Sequence, residues 1–128
     1  MDSKILQKRT KTFALNIIEL TKLLPNNRVG WVFTDQIVRS ATSVAANYRA
    51  VCRARSDKEF ISKMGIVIEE ADETLFWLEM IAESKTIDSK KYKSADSDLT
   101  ELMQEADELV SIFVSSVKTI KKRLNQKS

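Results

Sequence analysis

Large apolar residues recur every three or four positions in four stretches of this 128-residue chain. Such spacing places side chains on one face of an α-helix. Pro25 interrupts the first stretch, because proline disfavours helix in the preceding residue and lacks a backbone donor. The first stretch therefore predicts a helix over residues 4–24, with an apolar face formed by Leu6, Phe13, Ile17, Leu20 and Leu24.

Two capping residues define the next two predicted helices. Thr34 is a favourable N-cap, so we predict a connection at residues 28–33 and a second helix over residues 34–54. Ser56, with Glu59 three residues later, matches the capping box and predicts a third helix over residues 57–84. The apolar face of the second helix contains Ile37, Ala41, Val44, Tyr48 and Val51, and that of the third contains Phe60, Met64, Val67, Ala71, Leu75 and Leu78.

The most regular repeat lies in the last stretch and predicts a fourth helix over residues 89–124. Its apolar positions are Leu99, Leu102, Ala106, Leu109, Phe113, Val117, Ile120 and Leu124. No segment shows the alternating pattern of a β-strand. Four amphipathic helices with short connections favour an all-α protein, with residues 1–128 folded as a single antiparallel, up-down-up-down four-helix bundle.

Two of the predicted helices carry more apolar surface than one packing face requires. Apolar residues flank both sides of the main face of the third helix, and a strip of alanines lies outside the apolar face of the second. These residues are Ile61, Ile66, Ile68, Trp77, Ala46 and Ala50. We interpret them as contacts between the subunits of a homo-oligomer; deeper burial of the third helix within one subunit is the alternative.

Small and polar residues border the apolar face of the second helix. If the chain reverses at residues 55–56, Arg39 lies level with Glu73, and Ser40 and Ser43 lie level with Glu70. A carboxylate at an apolar boundary is costly unless it accepts hydrogen bonds. We therefore predict a structural polar seam that pairs the second and third helices, with catalysis and exposed surface pairing as alternatives. Its members are Arg39, Ser40, Ser43, Asn47, Glu70 and Glu73.

The residue types present exclude several classes of enzyme. The chain contains no histidine, which excludes Ser-His-Asp and Cys-His catalysis and the Glu-x-x-His motif of di-iron bundles. The single cysteine, Cys52, can form neither an intrachain disulfide nor a multi-cysteine zinc site, and its position predicts a core residue. A glycine-rich phosphate loop is also absent from the sequence. We expect a protein without catalytic residues, bound metal or cofactor.

The first residues of the chain, its hydropathy and its cysteine content indicate the cellular compartment. The first residues, MDSKILQKRTK, lack the apolar region of a signal peptide. No uncharged run approaches the roughly 18 residues of a membrane span. A single cysteine suits a reducing compartment. We expect a cytoplasmic protein that does not associate with membranes.

One short motif indicates an enzyme. Glu69-Glu70-x-x-Glu73 resembles the magnesium-binding motif of all-α nucleotide pyrophosphohydrolases, in which carboxylates one helical turn apart hold a cation that bridges phosphates. Three carboxylates of the fourth helix would complete such a site: Glu101, Glu105 and Glu108. A solvated acidic face explains the same residues more simply. A magnesium-dependent nucleotide hydrolase is therefore the third candidate function.

Basic residues concentrate in three windows that the bundle topology brings to one end. The net charge is only +3, but residues 1–12, 48–64 and 117–128 contain 14 of the 21 basic residues and three of the 18 acidic residues. We name these windows the predicted basic pole. Such a charge density attracts phosphate backbones through counterion release. The candidate nucleic-acid-binding residues are Lys8, Arg9, Lys11, Arg49, Arg53, Arg55, Lys118, Lys121, Lys122 and Arg123.

The predicted basic pole has three interpretations. It binds RNA, DNA or a ribonucleoprotein, it serves solubility and complements helix dipoles, or it binds an acidic protein. The dipole favours cations at helix C-termini but opposes those at the start of the first helix. Tyr48 and Phe60 lie on core faces, so any nucleic-acid binding should tolerate different sequences and use no base stacking. A scaffold that binds nucleic acid is our first candidate, and a purely protein–protein assembly module is the second.

The segment FTDQIVRSATSVAANYRAVCRARSDKEFISKMGIVIEEADETLFWLEMI, residues 33–81, resembles the 23S rRNA intervening-sequence (S23) proteins, a family of four-helix bundles. The last helix, with ELVSIFVSSVKTIKKR, resembles that of the same family. One departure is Ala50-Val51, where many members have Glu-Gly. The matching elements are Asp35-Gln36, Arg39, Ala41, Ser43, Asn47, Ser56, Phe60, Glu73 and Trp77-Leu78.

The resemblance implies a bacterial, cytoplasmic homopentamer. It also implies a distant relationship to the accessory proteins of diversity-generating retroelements, which partner a reverse transcriptase and nucleic acid. It supplies no biochemical activity of its own.

Overall fold

The computed structural model describes residues 2–127, and in this range it contains four helices and no β-strand. The helices are α1 (Ser3–Thr21), α2 (Arg28–Val51), α3 (Asp57–Ser84) and α4 (Ala95–Lys127). Each helix packs against its neighbours in the chain, and α1 also contacts α4. The prediction of an all-α four-helix bundle is therefore confirmed.

The contacts between α3 and α4 define their relative direction. Asp57, the first residue of α3, pairs with Arg123 near the end of α4. At the other end of the pair, Ile81 of α3 and Leu99 of α4 line the same cavity. Residue numbers therefore rise along one helix as they fall along the other. Short connections at residues 22–27 and 52–56 reverse the chain between the other sequential helices, which gives an up-down-up-down path.

The core is formed by the apolar faces of all four helices. Tyr48 of α2 stacks on Phe113 of α4, with ring centroids 5.5 Å apart. Most of the predicted face residues are buried, because each helix turns its three- and four-residue repeat inward. Among all core residues, those with no more than 1% exposure and the largest side chains are Phe13, Phe113, Ile17, Ile37, Met64, Leu78, Ile81 and Leu109.

The second helix begins six residues earlier than predicted, at Arg28 rather than Thr34. The N-cap is Asn27, whose side-chain oxygen accepts a hydrogen bond from the backbone N–H of Gly30 at 3.0 Å. Gly30 is required there because a methyl group at this position would overlap the carbonyl oxygen of Pro25. The asparagine cap and the close approach permitted by glycine therefore extend the helix through the predicted connection.

The first helix ends at Thr21, three residues before its predicted end. The fourth helix begins at Ala95, six residues after its predicted start. Residues 86–94 instead form turns, in which the Asp88 carboxylate accepts hydrogen bonds from the N–H groups of Lys90 and Lys91. An aspartate that bonds to nearby backbone groups competes with helix formation. The third helix covers residues 57–84, as predicted.

The predicted Ser56 cap at the start of α3 is present, and Glu59 reaches back to the residue before the cap instead of to the cap itself. The Ser56 side chain accepts a hydrogen bond from the Glu59 N–H at 3.1 Å, and the Glu59 carboxylate accepts one from the Arg55 N–H at 3.4 Å. A hydrogen bond from Lys63 lowers the pKa of Glu59 below its ordinary value. A lowered folded-state pKa means that Glu59 stabilises the fold above its unfolded-state pKa and loses this effect as pH falls.

Cys52 is exposed, so its prediction as a core residue is wrong. It is the C-cap of α2, at the open end of the bundle. There it lines a cavity with Ser3, the first residue of α1. The thiol therefore borders an open cavity instead of the packed core.

Arg39 connects α2 to α3 through an ion-pair network. Its guanidinium donates hydrogen bonds to Glu70, at 3.2 Å, and to Glu73. Trp77 also donates its indole N–H to Glu73, at 3.2 Å. We call Arg39, Glu70 and Glu73 the Arg39 network. The network satisfies both carboxylates at the edge of the core.

The remaining seam residues act differently from the prediction. Ser40 is buried and accepts a hydrogen bond of 2.8 Å from Thr74, which the sequence analysis did not include. Asn47 donates to the carbonyl and hydroxyl of Ser43 within its own helix, at 2.9 and 2.8 Å. Ser43 and Asn47 therefore do not bond to Glu70. The polar contact that crosses the interface is the Ser40–Thr74 pair together with the Arg39 network.

Ser56→Ala is expected to lower the free energy of unfolding by about 1 kcal/mol, because the Glu59 N–H loses its capping acceptor. Chemical denaturation measures this change. Ser62→Ala, an exposed position inside the same helix, is the matched control and should change stability by less than about 0.5 kcal/mol. Equal effects of the two substitutions would contradict the role of the cap.

Thr74→Val is expected to lower the free energy of unfolding by about 1–2 kcal/mol, because it removes the buried hydroxyl that bonds to Ser40 while keeping a similar shape. The same substitution at the exposed Thr42, whose hydroxyl bonds only to carbonyls of its own helix, should have little effect. Thermal and chemical denaturation of both variants test this. Similar stabilities of the two variants would show that the Ser40–Thr74 bond does not hold α2 against α3.

Candidate nucleic-acid interface

One end of the bundle gathers cations from three separate parts of the chain. They come from the end of α2, the turn after it and the end of α4, and all of them are exposed. We call this group the cationic tip. Its members are Arg49, Arg53, Arg55, Lys118, Lys121 and Lys122.

A small cavity shows that these chain segments are adjacent. It has a volume of about 410 Å³, and its lining includes Arg55 and Asp57 after α2 and Ile120 and Arg123 of α4. Ser3, at the start of α1, lines the same cavity. The start of α1, the turn between α2 and α3 and the last turns of α4 therefore meet at one end of the molecule.

Arg123 is not a member of the cationic tip, because it is paired with a carboxylate. It donates two hydrogen bonds to the Asp57 carboxylate, at 3.3 and 2.7 Å. These bonds raise the pKa of the Arg123 guanidinium above its ordinary value. The pair attaches the end of α4 to the start of α3, so this predicted binding residue instead fixes the geometry of the tip.

Arg9 is also paired. It donates to Glu105 at 2.7 and 2.6 Å and to Glu108 at 2.7 Å, and the hydrogen bond with Glu105 raises the pKa of Arg9. We call these three residues the Arg9 network. Glu105 precedes Arg123 by 18 residues in α4, which corresponds to about 27 Å of helix. The exposed Lys8 and Lys11 flank Arg9 in α1, so these three cations lie along the side of the bundle rather than at the tip.

Helix dipoles explain part of the charge at the tip. The C-termini of α2 and α4 end there, and their partial negative charge favours cations. The N-terminus of α3 also lies at the tip, and its first turn carries the carboxylates of Asp57 and Glu59. These two carboxylates pair with Arg123 and Lys63. None of the ion pairs among residues 2–126 includes a member of the cationic tip.

Lys58 extends the same surface. It lies in the first turn of α3 and is exposed. The sequence analysis counted it in the predicted basic pole but did not name it as a binding residue. Its position next to the charged turn was the signal that could have identified it.

The aromatic side chains near the tip face the core. Tyr48 is 5% exposed, and burial is the main cause of the rise in its pKa above the ordinary value. Phe60 is only partly buried but packs against the core. The tip therefore offers cations and little aromatic surface, a composition that suits phosphate contacts rather than base stacking.

The carboxylates of the EExxE motif do not form a cation site. Glu70 and Glu73 bond to Arg39, whereas Glu105 and Glu108 bond to Arg9 on another side of the bundle. Glu69 is exposed to solvent. Within residues 2–127 no group of three acidic or cysteine side chains is arranged to hold a metal ion. The carboxylates of α3 and α4 that the hydrolase interpretation assigned to one magnesium site therefore lie on different sides of the bundle.

Among the described residues, every helix is too short or too polar to cross a bilayer.

Comparison with known proteins gives two findings. Residues 2–108 match the family described as 23S rRNA-intervening sequence protein. The fold is similar to a crystal structure of a protein with unknown function from the S23 ribosomal protein family of Bacteroides thetaiotaomicron VPI-5482, with a TM-score of 0.65 and 33% sequence identity. That similarity covers 87% of this chain and 99% of the other.

No curated protein matches this chain significantly. The family match covers most of the sequence and agrees with the four-helix fold and with a solved relative at 33% identity. The chain belongs to the 23S rRNA-intervening sequence protein family.

Proposed function

We propose that this protein is a non-catalytic helical module that binds nucleic acid, or a complex containing it, through the cationic tip. The observation that carries the proposal is the convergence of six exposed cations from the end of α2, the following turn and the end of α4. The ligand contacts are phosphates, because guanidinium and ammonium groups dominate the surface and aromatic rings do not. We expect this activity in the bacterial cytoplasm.

Self-association is part of the same proposal. Several large apolar residues are exposed on the isolated chain, among them Trp31, Ile66 and Phe76. Large apolar side chains exposed on helices are candidates for an interface between proteins. A homo-oligomer, with five copies as the family resemblance implies, presents several cationic tips to one polyanion. Avidity then raises the affinity without any new contact within a subunit.

A protein–protein assembly module is the second candidate, and the exposed apolar residues favour it. It predicts association that salt hardly changes, whereas phosphate binding weakens steeply as salt rises. The magnesium-dependent hydrolase has no comparable support, because four of the six carboxylates that it would use are paired with Arg39 or Arg9.

Charge reversal at the tip is the test of the proposal. Lys118→Glu with Lys122→Glu is expected to lower the affinity for a 20-base-pair RNA or DNA duplex at least tenfold and to reduce the salt slope by about two. Fluorescence anisotropy over a salt series measures both quantities. Single strands of the same length, run in parallel, report whether the tip distinguishes the two forms.

The matched control is Lys90→Glu with Lys93→Glu. It makes the same change in net charge at two exposed lysines in the connection between α3 and α4, at the opposite end of the bundle. Its affinity should stay within twofold of the wild type. Equal losses from both pairs, or no binding by the wild type at low salt, would contradict a site at the cationic tip.

Arg9→Gln is expected to separate stability from binding. Loss of the Arg9 network should lower the free energy of unfolding by about 1 kcal/mol, a modest value because its groups are partly exposed. Affinity for the duplex should stay within twofold, since the Arg9 guanidinium is already held by Glu105 and Glu108 on the side of the bundle. Lys11→Gln removes the same charge from an exposed neighbour and should leave stability unchanged. Lost binding with unchanged stability in Arg9→Gln would place Arg9 in the nucleic-acid site.

A further inference from the structure

The small cavity at the cationic tip has an apolar as well as a charged lining. The apolar part comes from the end of α2, the start of α3 and the last turns of α4, and consists of Val51, Phe60 and Ile120. Phe60 and Ile120 are only partly buried. The exposed Cys52 lines the same cavity. We call this cavity the tip notch, and its apolar residues are in contact with open space rather than with another helix.

The charged part of the lining is positive. Arg55 is exposed and belongs to the cationic tip, and Arg123 lines the notch together with its partner Asp57. Two arginines against one aspartate leave a net positive charge. The Arg123 guanidinium has more donors than its two hydrogen bonds to Asp57 occupy, so it can also contact a phosphate. An anion that reaches the notch therefore finds donors on the same side of the tip as Arg55.

Tyr48 adds a neutral donor to the notch. Its side chain is 5% exposed and its ring stacks on Phe113, yet the residue also lines the notch. Burial raises the pKa of Tyr48 above its ordinary value, and the neighbouring Cys52 thiol and Asp2 carboxylate raise it further. The hydroxyl therefore lies near the notch end of the ring and stays protonated at neutral pH. A thiol is a weak hydrogen-bond partner, so the hydroxyl can donate to a stronger acceptor.

The volume and chemistry of the notch together suit one nucleotide. The cavity measures about 410 Å³, within the range of about 300–1,000 Å³ that is usual for small-ligand pockets. A nucleobase has apolar faces and hydrogen-bond acceptors on its edge, and it is joined through a sugar to a phosphate. A paired base inside a duplex cannot enter such a cavity without the cost of unpairing and unstacking. An unpaired base at the end of a strand avoids most of this cost.

We propose that the tip notch receives one unpaired nucleotide at the end of a nucleic-acid strand. The base lies against Val51, Phe60 and Ile120, its edge accepts a hydrogen bond from the Tyr48 hydroxyl, and its phosphate lies on Arg55. The inference rests on the proposed function, in which the other cations of the tip contact the phosphates of the adjoining duplex. Because the lining is apolar, the notch accepts different bases.

Three forms of one 20-base-pair duplex test this inference: a blunt form, a form with one unpaired thymidine at a 3′ or a 5′ end, and a form with an abasic nucleotide at the same place. The thymidine form should bind about tenfold more tightly than the blunt form, because the inserted base buries apolar surface. The abasic form adds the phosphate without the base and should bind within twofold of the blunt form. The tenfold gain should not change with salt, because the base releases no counterions. Fluorescence anisotropy measures each affinity.

A substitution in the apolar lining should remove the gain without removing duplex binding. Ile120→Gln makes the lining more polar and changes no charge, so the thymidine and blunt forms should then bind within twofold of each other. Val114→Gln is the matched control, since Val114 is also a partly buried branched residue of α4 but does not line the notch. It should keep the tenfold preference. Circular dichroism and thermal denaturation verify that both variants are folded.

The single cysteine gives a second measurement on the wild-type protein. Iodoacetamide alkylates an exposed thiol, and Cys52 is the only cysteine of the chain. At equal occupancy, the thymidine form of the duplex should slow alkylation about fivefold relative to the blunt form, because the base covers the thiol. The abasic form should give no such protection. Mass spectrometry of timed samples measures the rate.

The possible outcomes separate this inference from the proposed function. Equal binding of the three duplex forms, or equal alkylation rates in their presence, would overturn the notch while salt-dependent binding of the blunt form would still support the cationic tip. Loss of the preference in Val114→Gln as well as in Ile120→Gln would also overturn it. Absence of binding to every form at low salt would contradict the tip and the notch together.

Discussion

The antiparallel packing of α3 along α4 is the constraint on which the rest of the structure depends. It places Asp57 beside Arg123 and brings the last turns of α4 to the turn that follows α2. The cations of these segments are far apart in sequence but crowd together in space, which is electrostatically unfavourable on its own. Apolar burial along both helices offsets this repulsion, and two helix C-termini reduce it.

Two arginines fix the register of neighbouring helices without burying a charge deeply. Arg39 bridges Glu70 and Glu73, three residues apart on α3, and Arg9 similarly bridges two glutamates on α4. A guanidinium presents several donors in a fixed plane, so it can hold two carboxylates one helical turn apart. Both networks keep partial contact with water, which limits the cost of desolvation and also limits their contribution to stability.

The sequence was sufficient for the number and type of helices, because each has a long apolar repeat. It was also sufficient for the start of α3, where Ser56 caps the helix and the Glu59 carboxylate reaches back to the Arg55 N–H. It was insufficient at the start of α2, since the Asn27 cap depends on a close contact between Gly30 and Pro25 that no local pattern reveals. Helix periodicity also misplaced Cys52, because a helical position is buried only where a neighbouring helix extends far enough to cover it.

The candidate site was predictable in part for a similar reason. Topology alone brings the charged ends of α2 and α4 together, and charge counting finds them. Charge counting cannot identify which cations already have an ion-pair partner, because the partners of Arg9 and Arg123 are 96 and 66 residues away in the chain. The sequence analysis did not include Thr74 in the polar seam, because Thr74 lies on the apolar side of α3. Its role depends on the hydrogen bond to Ser40, which only the packing of α2 against α3 reveals.

The loose packing of α1 against α4 has a consequence for the order in which the bundle opens. α1 is the shortest helix, and on its α4 side a groove replaces close contact, so the Arg9 network is the main polar connection across that gap. Local opening costs least where few buried contacts must be broken. Amide protons of α1 should therefore exchange with solvent before those of α3, whose detachment would expose most of the core. α1 is therefore the helix whose exchange reports first on any loosening of the bundle.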